Sequence, residues 1–153
     1  MGCRLARLHC ATSSHRDACA WYYNVKVSTY SFDEEVQERW GHTDAYQESK
    51  QRQSHYTAED IEMAKKQAAQ AVDMFVVAMT AGLPATSPEA AQAAEAHRQA
   101  ISDWWYNCSY DIQAGLAEMY LADSRFRQTY EDIHPGLSQF IHDAIMANAI
   151  ANS

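Results

Sequence analysis

Between His97 and Tyr120 the chain gathers groups that do chemistry or grip a ligand. They are one imidazole, the Cys108 thiol, the indoles of Trp104 and Trp105, and the phenols of Tyr106, Tyr110 and Tyr120. On an ideal helix at about 100° per residue, His97, Trp104 and Cys108 share a narrow arc, with Ile101 beside them. Rings with a polar handle suit a large ligand that is mostly apolar yet carries amides and hydroxyls. The same stripe also suits the core of a helical bundle, because aromatic rows usually bury themselves. His97 alone reads as a satisfied core or surface histidine, and Cys108 as an inert thiol, since no Lys or Arg flanks it in sequence to lower its pKa.

Other constellations point away from catalysis. No GxSxG, HExxH, P-loop or GxGxxG motif occurs, and no CxxC pair offers a zinc scaffold. The pairs Glu34-Glu35, Glu59-Asp60 and Glu131-Asp132 read as solvated faces and helix starts. His142 and Asp143 adjoin, but neighbours on a helix point apart, so no dyad is expected. The sequence predicts a protein that is not an enzyme and carries no cofactor or metal.

The elements that position these groups are helical. The chain has 153 residues, room for one domain, and only 5 Gly and 3 Pro, too few turn residues for a β-rich fold. Residues 33–53 are polar, with Val36, Trp40 and Tyr46 as the main apolar groups and Gly41 as a break. Such a segment holds weakly to a core. Thr57 caps the next helix, with Glu59 and Asp60 in its first turn, and Ile61, Ala64, Ala68, Phe75 and Met79 recur at helical spacing. Gly82 and Pro84 end it. Ser87-Pro88-Glu89 opens a helix running to about Tyr106. Further helices are expected near Ser109–Ala122, from Asp123-Ser124 through Phe126 and Tyr130, and from Pro135-Gly136 through Ile145 and Ala149. The sum is an all-α domain of five or six helices.

Charge is unevenly spread. Residues 1–31 carry four basic groups and Asp17, a net of +3, which leaves −11 on the rest of a chain whose total is −8. So acidic a body repels phosphate backbones, and nucleic-acid binding by this chain alone is not expected. Residues 1–31 lack helical period and include the β-like run from Trp21 to Val27, which predicts an atypical, poorly ordered leader. Cys3, Cys10 and Cys19 lie in that leader, so the body has no disulfide framework. With no signal peptide and no membrane-length apolar run, a cytoplasmic protein without membrane contact is expected.

Ordered motifs give the chain a family likeness. Glu38-Arg39-Trp40-Gly41, then Thr43-Asp44-Ala45-Tyr46 and Ser54-His55-Tyr56-Thr57, resemble the opening of the TipAS antibiotic-recognition domain. This is the ligand-binding half of thiostrepton-induced MerR-type regulators. The resemblance resumes at Ser87-Pro88-Glu89-Ala90 and His97-Arg98, then at Tyr106-Asn107-Cys108-Ser109-Tyr110 and Gly115-Leu116-Ala117-Glu118-Met119-Tyr120. It closes with Arg125-Phe126, Pro135-Gly136-Leu137 and the stretch from Asp143 to Ala149.

The resemblance implies a globin-like helical domain that binds thiopeptides or similar macrocyclic antibiotics, with N-terminal helices that are loose when empty and fold over the ligand as a lid. It divides the chain into a lid at 32–56 and a body at 57–153. Trp40, Tyr46 and Tyr56 would line the cleft from the lid, and His97, Trp104, Tyr106, Tyr110 and Tyr120 from the body. Ile101, Cys108, Asp111 and Gly115 complete the candidate set, and the pocket is expected between the 88–106 and 109–122 helices. The family's thiostrepton-binding members carry a cysteine seven residues after the one matching Cys108, which adds to a dehydroalanine of the drug. Gly115 stands at that position here, so reversible capture is expected. The regulators' winged helix is not in this sequence, which predicts a short form acting by sequestration as a monomer or weak homodimer. The alternatives are a ligand-sensing fragment of a MerR-type activator and, from a different class, a haem or tetrapyrrole protein built on His97.

Overall fold

The computed structural model describes residues 37–153. The expectations for the 1–31 leader and for residues 32–36 lie outside the described residues.

A helical turn at residues 37–40 breaks at Gly41, and six helices follow: α1 (Asp44–Gln53), α2 (Ala58–Thr80), α3 (Pro88–Trp104), α4 (Tyr110–Ala122), α5 (Ser124–Ile133) and α6 (Leu137–Ala151). Starts are set by local capping. The Thr57 hydroxyl accepts from the Asp60 N–H while the Asp60 carboxylate accepts from the Thr57 N–H, a reciprocal box that satisfies two orphan donors. Ser87, Ser109 and Asp123 cap α3, α4 and α5 with one side-chain bond each, accepting from the N–H groups of Ala90, Ile112 and Arg125, and Pro88 is pre-set for the first turn of α3. Gly82 stops α2 at φ 72°, a left-handed conformation that a side chain would strain.

The start of α6 uses a partner from another helix. Gly136, at φ 83°, offers no side-chain cap, and Glu131 of α5 accepts from the N–H of Gly136 at 2.7 Å and from the Ser138 hydroxyl. These donors hold the Glu131 carboxyl below its usual range, the Gly136 N–H foremost.

Alanine faces let the helices approach closely. Ala64, Ala68 and Ala71 of α2 are buried on the side that meets α3, whose Ala90, Ala93, Ala94 and Ala100 are also buried. α6 is the central element, packed on α2, α3, α4 and α5 through Leu137, Ile141, Ala144 and Ile145. Phe75, Tyr120 and Tyr130 fill the remaining core. α1 buries none of its residues. No described helix is long and apolar enough to cross a membrane.

Candidate ligand-binding site

The end of α3 gathers aromatic groups at a partly exposed corner. The helix stops at Trp104, two residues earlier than expected, where Trp105 donates its N–H to Ile101 O. The Tyr56 hydroxyl donates to Trp104 O at 2.5 Å, and its ring stands edge-on to Trp104 and Trp105 at centroid distances of 5.7 and 6.4 Å. Trp104 Nε1 donates to Gln67 Oε1 of α2 at 2.7 Å, which fixes the indole across the α2–α3 seam. Tyr56, Trp104 and Tyr106 are all half-buried. Partly exposed aromatic faces whose orientation is fixed by hydrogen bonds, as those of Tyr56 and Trp104 are, are what a ligand can stack upon.

Early termination moves Cys108 off the helix, so the arc shared by His97, Trp104 and Cys108 does not form. Cys108 lies in the loop before α4, fully buried, its N–H donating to Ser102 Oγ and its carbonyl accepting from Arg98. Burial pushes the thiol up to about 11, and the nearby Arg98 guanidinium offsets this only partly. At neutral pH it is therefore a protonated thiol screened from solvent, although a cation does lie close by in space.

His97 and its neighbours form a polar knot in the core. The helices α3 and α4 are bridged here by side chains: Gln113 Nε2 donates to Ala94 O at 2.7 Å and to His97 Nδ1 at 3.2 Å. Ala94 O fixes which end of the amide carries hydrogens, so Nδ1 is the acceptor and the proton sits on Nε2, directed at the Tyr120 hydroxyl 3.4 Å away. Phe75 and Tyr120 stand edge-on to the imidazole. Desolvation lowers the His97 pKa to about 4, so it is neutral. Gln113 Oε1 is buried and has no partner among the described residues.

This packing bears on the candidate set. His97, Ile101, Cys108 and Tyr120 are 2%, 1%, 0% and 0% exposed, so no ligand in the solvent reaches them unless the body opens. With both ring nitrogens engaged, His97 offers no lone pair to a haem iron, which removes the ground for the tetrapyrrole reading. What the expected α3–α4 pocket contains is the knot itself.

On the next face, Tyr110 begins α4 with the Arg98 guanidinium 4.7 Å above its ring. Arg98 is held by Glu95, whose carboxyl lies below its usual range chiefly because of that hydrogen bond. Asp111 and Gly115 are exposed along α4, and a Cβ built on Gly115 meets nothing within 4 Å. Trp40 is 38% exposed, with Arg39 over its ring, and Tyr46 is half-buried with Lys50 over its ring. Tyr56, Trp104 and Trp105 are thus in ring contact at one corner, with half-buried Tyr106 next in the chain; Tyr110, Asp111 and Gly115 lie along α4, and Trp40 and Tyr46 lie in the N-terminal segment.

Sequence reasoning missed the roles of Gln113, Glu95, Glu48 and Arg52: Glu95–Arg98 and Glu48–Arg52 are pairs at ordinary helical spacing, but the distant backbone groups that Arg98, Glu48, Arg52 and Gln113 hold have no local signal. It also misjudged His142. The imidazole Nδ1 meets Asp143 Oδ1 at 2.8 Å, because the side-chain rotamers turn adjacent residues together, while Nε2 faces Glu118 of α4 at 3.5 Å. This is a surface contact between α4 and α6.

An all-helical body with an aromatic corner beneath a separately attached N-terminal helix has the layout of a helical small-molecule-recognition domain. The chain belongs to the TipAS antibiotic-recognition domain family, whose sequence model matches residues 32–148. It is 43% identical over 122 residues to the HTH-type transcriptional activator TipA of Streptomyces coelicolor, across 80% of this chain and 48% of that protein. It is 28% identical over 123 residues to the HTH-type transcriptional activator mta of Bacillus subtilis, across 80% of this chain and 47% of that one. The chain spans about half the length of the curated relatives it matches. Among solved structures it is similar to Streptomyces lividans TipAS in complex with nosiheptide, part of a thiopeptide antibiotic multidrug resistance system. That likeness has a TM-score of 0.77 and 40% identity, covering 87% of this chain and 93% of that one. A second likeness is to the antibiotic-binding domain of a TipA-class multidrug resistance transcriptional regulator. Its TM-score is 0.55 at 40% identity, with 59% of this chain and 96% of that one covered.

Proposed function

We propose that this chain captures a thiopeptide or similar macrocyclic antibiotic, without catalysis, and holds it reversibly. The observation that carries this reading is the half-exposed corner of Tyr56, Trp104 and Tyr106 in a fold that matches a nosiheptide-bound domain over most of its length. Tyr110, Asp111 and Gly115 extend the ligand surface along α4, and Trp40 and Tyr46 close over it from the N-terminal segment. His97, Ile101, Cys108 and Tyr120 shape the body behind. Burying about 500 Å² of apolar ligand surface contributes ~12 kcal/mol gross, and ordering the lid offsets several kcal/mol of it. Submicromolar affinity then needs no covalent bond. The acidic body argues against nucleic-acid binding by these residues, and a monomer or weak homodimer suffices.

Titration with nosiheptide, followed by tryptophan emission, tests the proposal, because Trp104 and Trp105 stand at the corner. Saturable quenching at submicromolar ligand is expected; emission unchanged up to the solubility of the antibiotic would sink it. A second reading has its own support, since the curated relatives are transcriptional activators about twice as long as the matched region. In that reading lid closure is a signal that biases an attached DNA-binding domain. Capture alone, without a regulator, corresponds to sequestration.

A further inference from the structure

The end of α3 and the loop after it offer unpaired backbone groups of both kinds. The last carbonyls of α3 lack intrahelical partners and form the negative end of its dipole, while Asn107, ahead of the Ser109 cap of α4, offers a backbone N–H. Helix α1 presents a matched pair to this loop, one helical turn apart. Arg52 donates to Ser102 O at 2.6 Å and reaches Asp103 O at 3.5 Å. Glu48 accepts the Asn107 N–H at 3.1 Å, and Arg52 and Glu48 bond each other at 2.6 Å. The Tyr56 hydroxyl takes the intervening Trp104 carbonyl. Four backbone groups between residues 102 and 107 are therefore gripped from the N-terminal segment, and they flank the side chains of Trp104, Trp105 and Tyr106. Because α1 buries no residue, these polar contacts are its main hold on the body.

We propose that Glu48 and Arg52 are positioning residues that make lid docking and the presentation of the Trp104–Tyr106 corner a single event. The proposal rests on the reading of that corner as part of the ligand site. The lid does not only cover the ligand; through the main chain of the loop it sets the surface on which the ligand lies. The grip is electrostatic and solvent-facing, so salt weakens it. Asn107 first, and Arg52 next, keep the Glu48 carboxyl below its usual range, so the grip persists at neutral pH.

The test combines hydrogen exchange with nosiheptide titration on the full chain and on Glu48→Gln, Arg52→Gln and Arg52→Lys. In the ligand-free protein, amides 103–108 should exchange several-fold faster in the two Gln variants, while 137–149 are unchanged. Losing one charge-assisted bond should weaken nosiheptide about tenfold, with Arg52→Lys recovering part of the loss. Added salt should speed exchange at 103–108 in the parent but not in Arg52→Gln, a response that a merely structural residue would not give. Unchanged exchange at 103–108 overturns the proposal. So does a loosened loop that still binds nosiheptide with parental affinity, since presentation would then not depend on the grip. If the parent itself does not bind nosiheptide, the functional reading fails, and loop exchange with its salt response alone decides for or against the grip.

Discussion

Lowering the pH from 7 to 5 tests the description of the core through one residue. His97 is neutral in the fold, its pKa pushed down to about 4 by desolvation, against an ordinary 6.5. Between these values the unfolded chain binds a proton that the native chain refuses, so stability rises with pH across that window. The contribution is nearly complete at pH 7 and is lost as the pH falls towards 4. Two and a half pH units at about 1.4 kcal/mol each make the full loss about 3 kcal/mol, of which about 2 falls between pH 7 and pH 5. The lowered carboxylates Glu48, Asp60, Glu95, Asp123 and Glu131 also lose stability in acid. Their losses set in only near the ordinary carboxylate range and so fall mostly below this window. The assay is urea unfolding at pH 7, 6 and 5 on the parent and on His97→Gln, which retains every other titratable group. The variant starts less stable, since the contact with Gln113 is disturbed, but its stability should fall by about 2 kcal/mol less than the parent's over the range. Parallel decline in the two proteins would refute the assignment of a buried neutral imidazole, and with it the Gln113–His97–Tyr120 knot.

Three further outcomes are expected. Gly115→Cys should fold with unchanged or slightly raised stability, because its Cβ meets open space and glycine is a poor helix former by about 1 kcal/mol against alanine; peptide mass mapping after incubation with a dehydroalanine-bearing thiopeptide should place the ligand mass on position 115 in this variant and leave Cys108, buried and protonated, unmodified in both proteins. Trp104→Ala or Tyr110→Ala should weaken nosiheptide by one to several kcal/mol, roughly the range for an aromatic anchor; parental affinity in both, read by calorimetry, would put the ligand elsewhere. Amides of α1 should exchange much faster than 137–149 in the empty protein and slow markedly with nosiheptide, because a helix with no buried residue, docked through solvent-facing polar contacts, opens readily; protection equal to that of 137–149 without ligand would mean a rigid, preformed lid.

The division between what the residues announce and what packing decides follows the range of each interaction. Thr57 with Asp60, Ser87 with Pro88, Asp123 and Gly82 are legible in the sequence because caps and stops act within three or four residues, and apolar spacing marks the inward face of α2 and α6. The family likeness was legible too, since its motifs lie along the chain in order. The fate of the aromatic stripe was not. Whether His97 faces a ligand or the core depends on Gln113, sixteen residues away, and on Phe75 from another helix. Cys108 left the expected arc because α3 ends at Trp104, where loop closure against Ser102 and Arg98 replaces another turn. Glu131 reads as a solvated carboxylate until α6 places its N-terminus beside it. The contacts of Glu48 and Arg52 with the α3–α4 loop span fifty residues or more, and nothing local encodes them. Local backbone satisfaction is written in neighbouring side chains, whereas the partner of a buried or distant polar group is settled only when the helices come together and exclude water from between them.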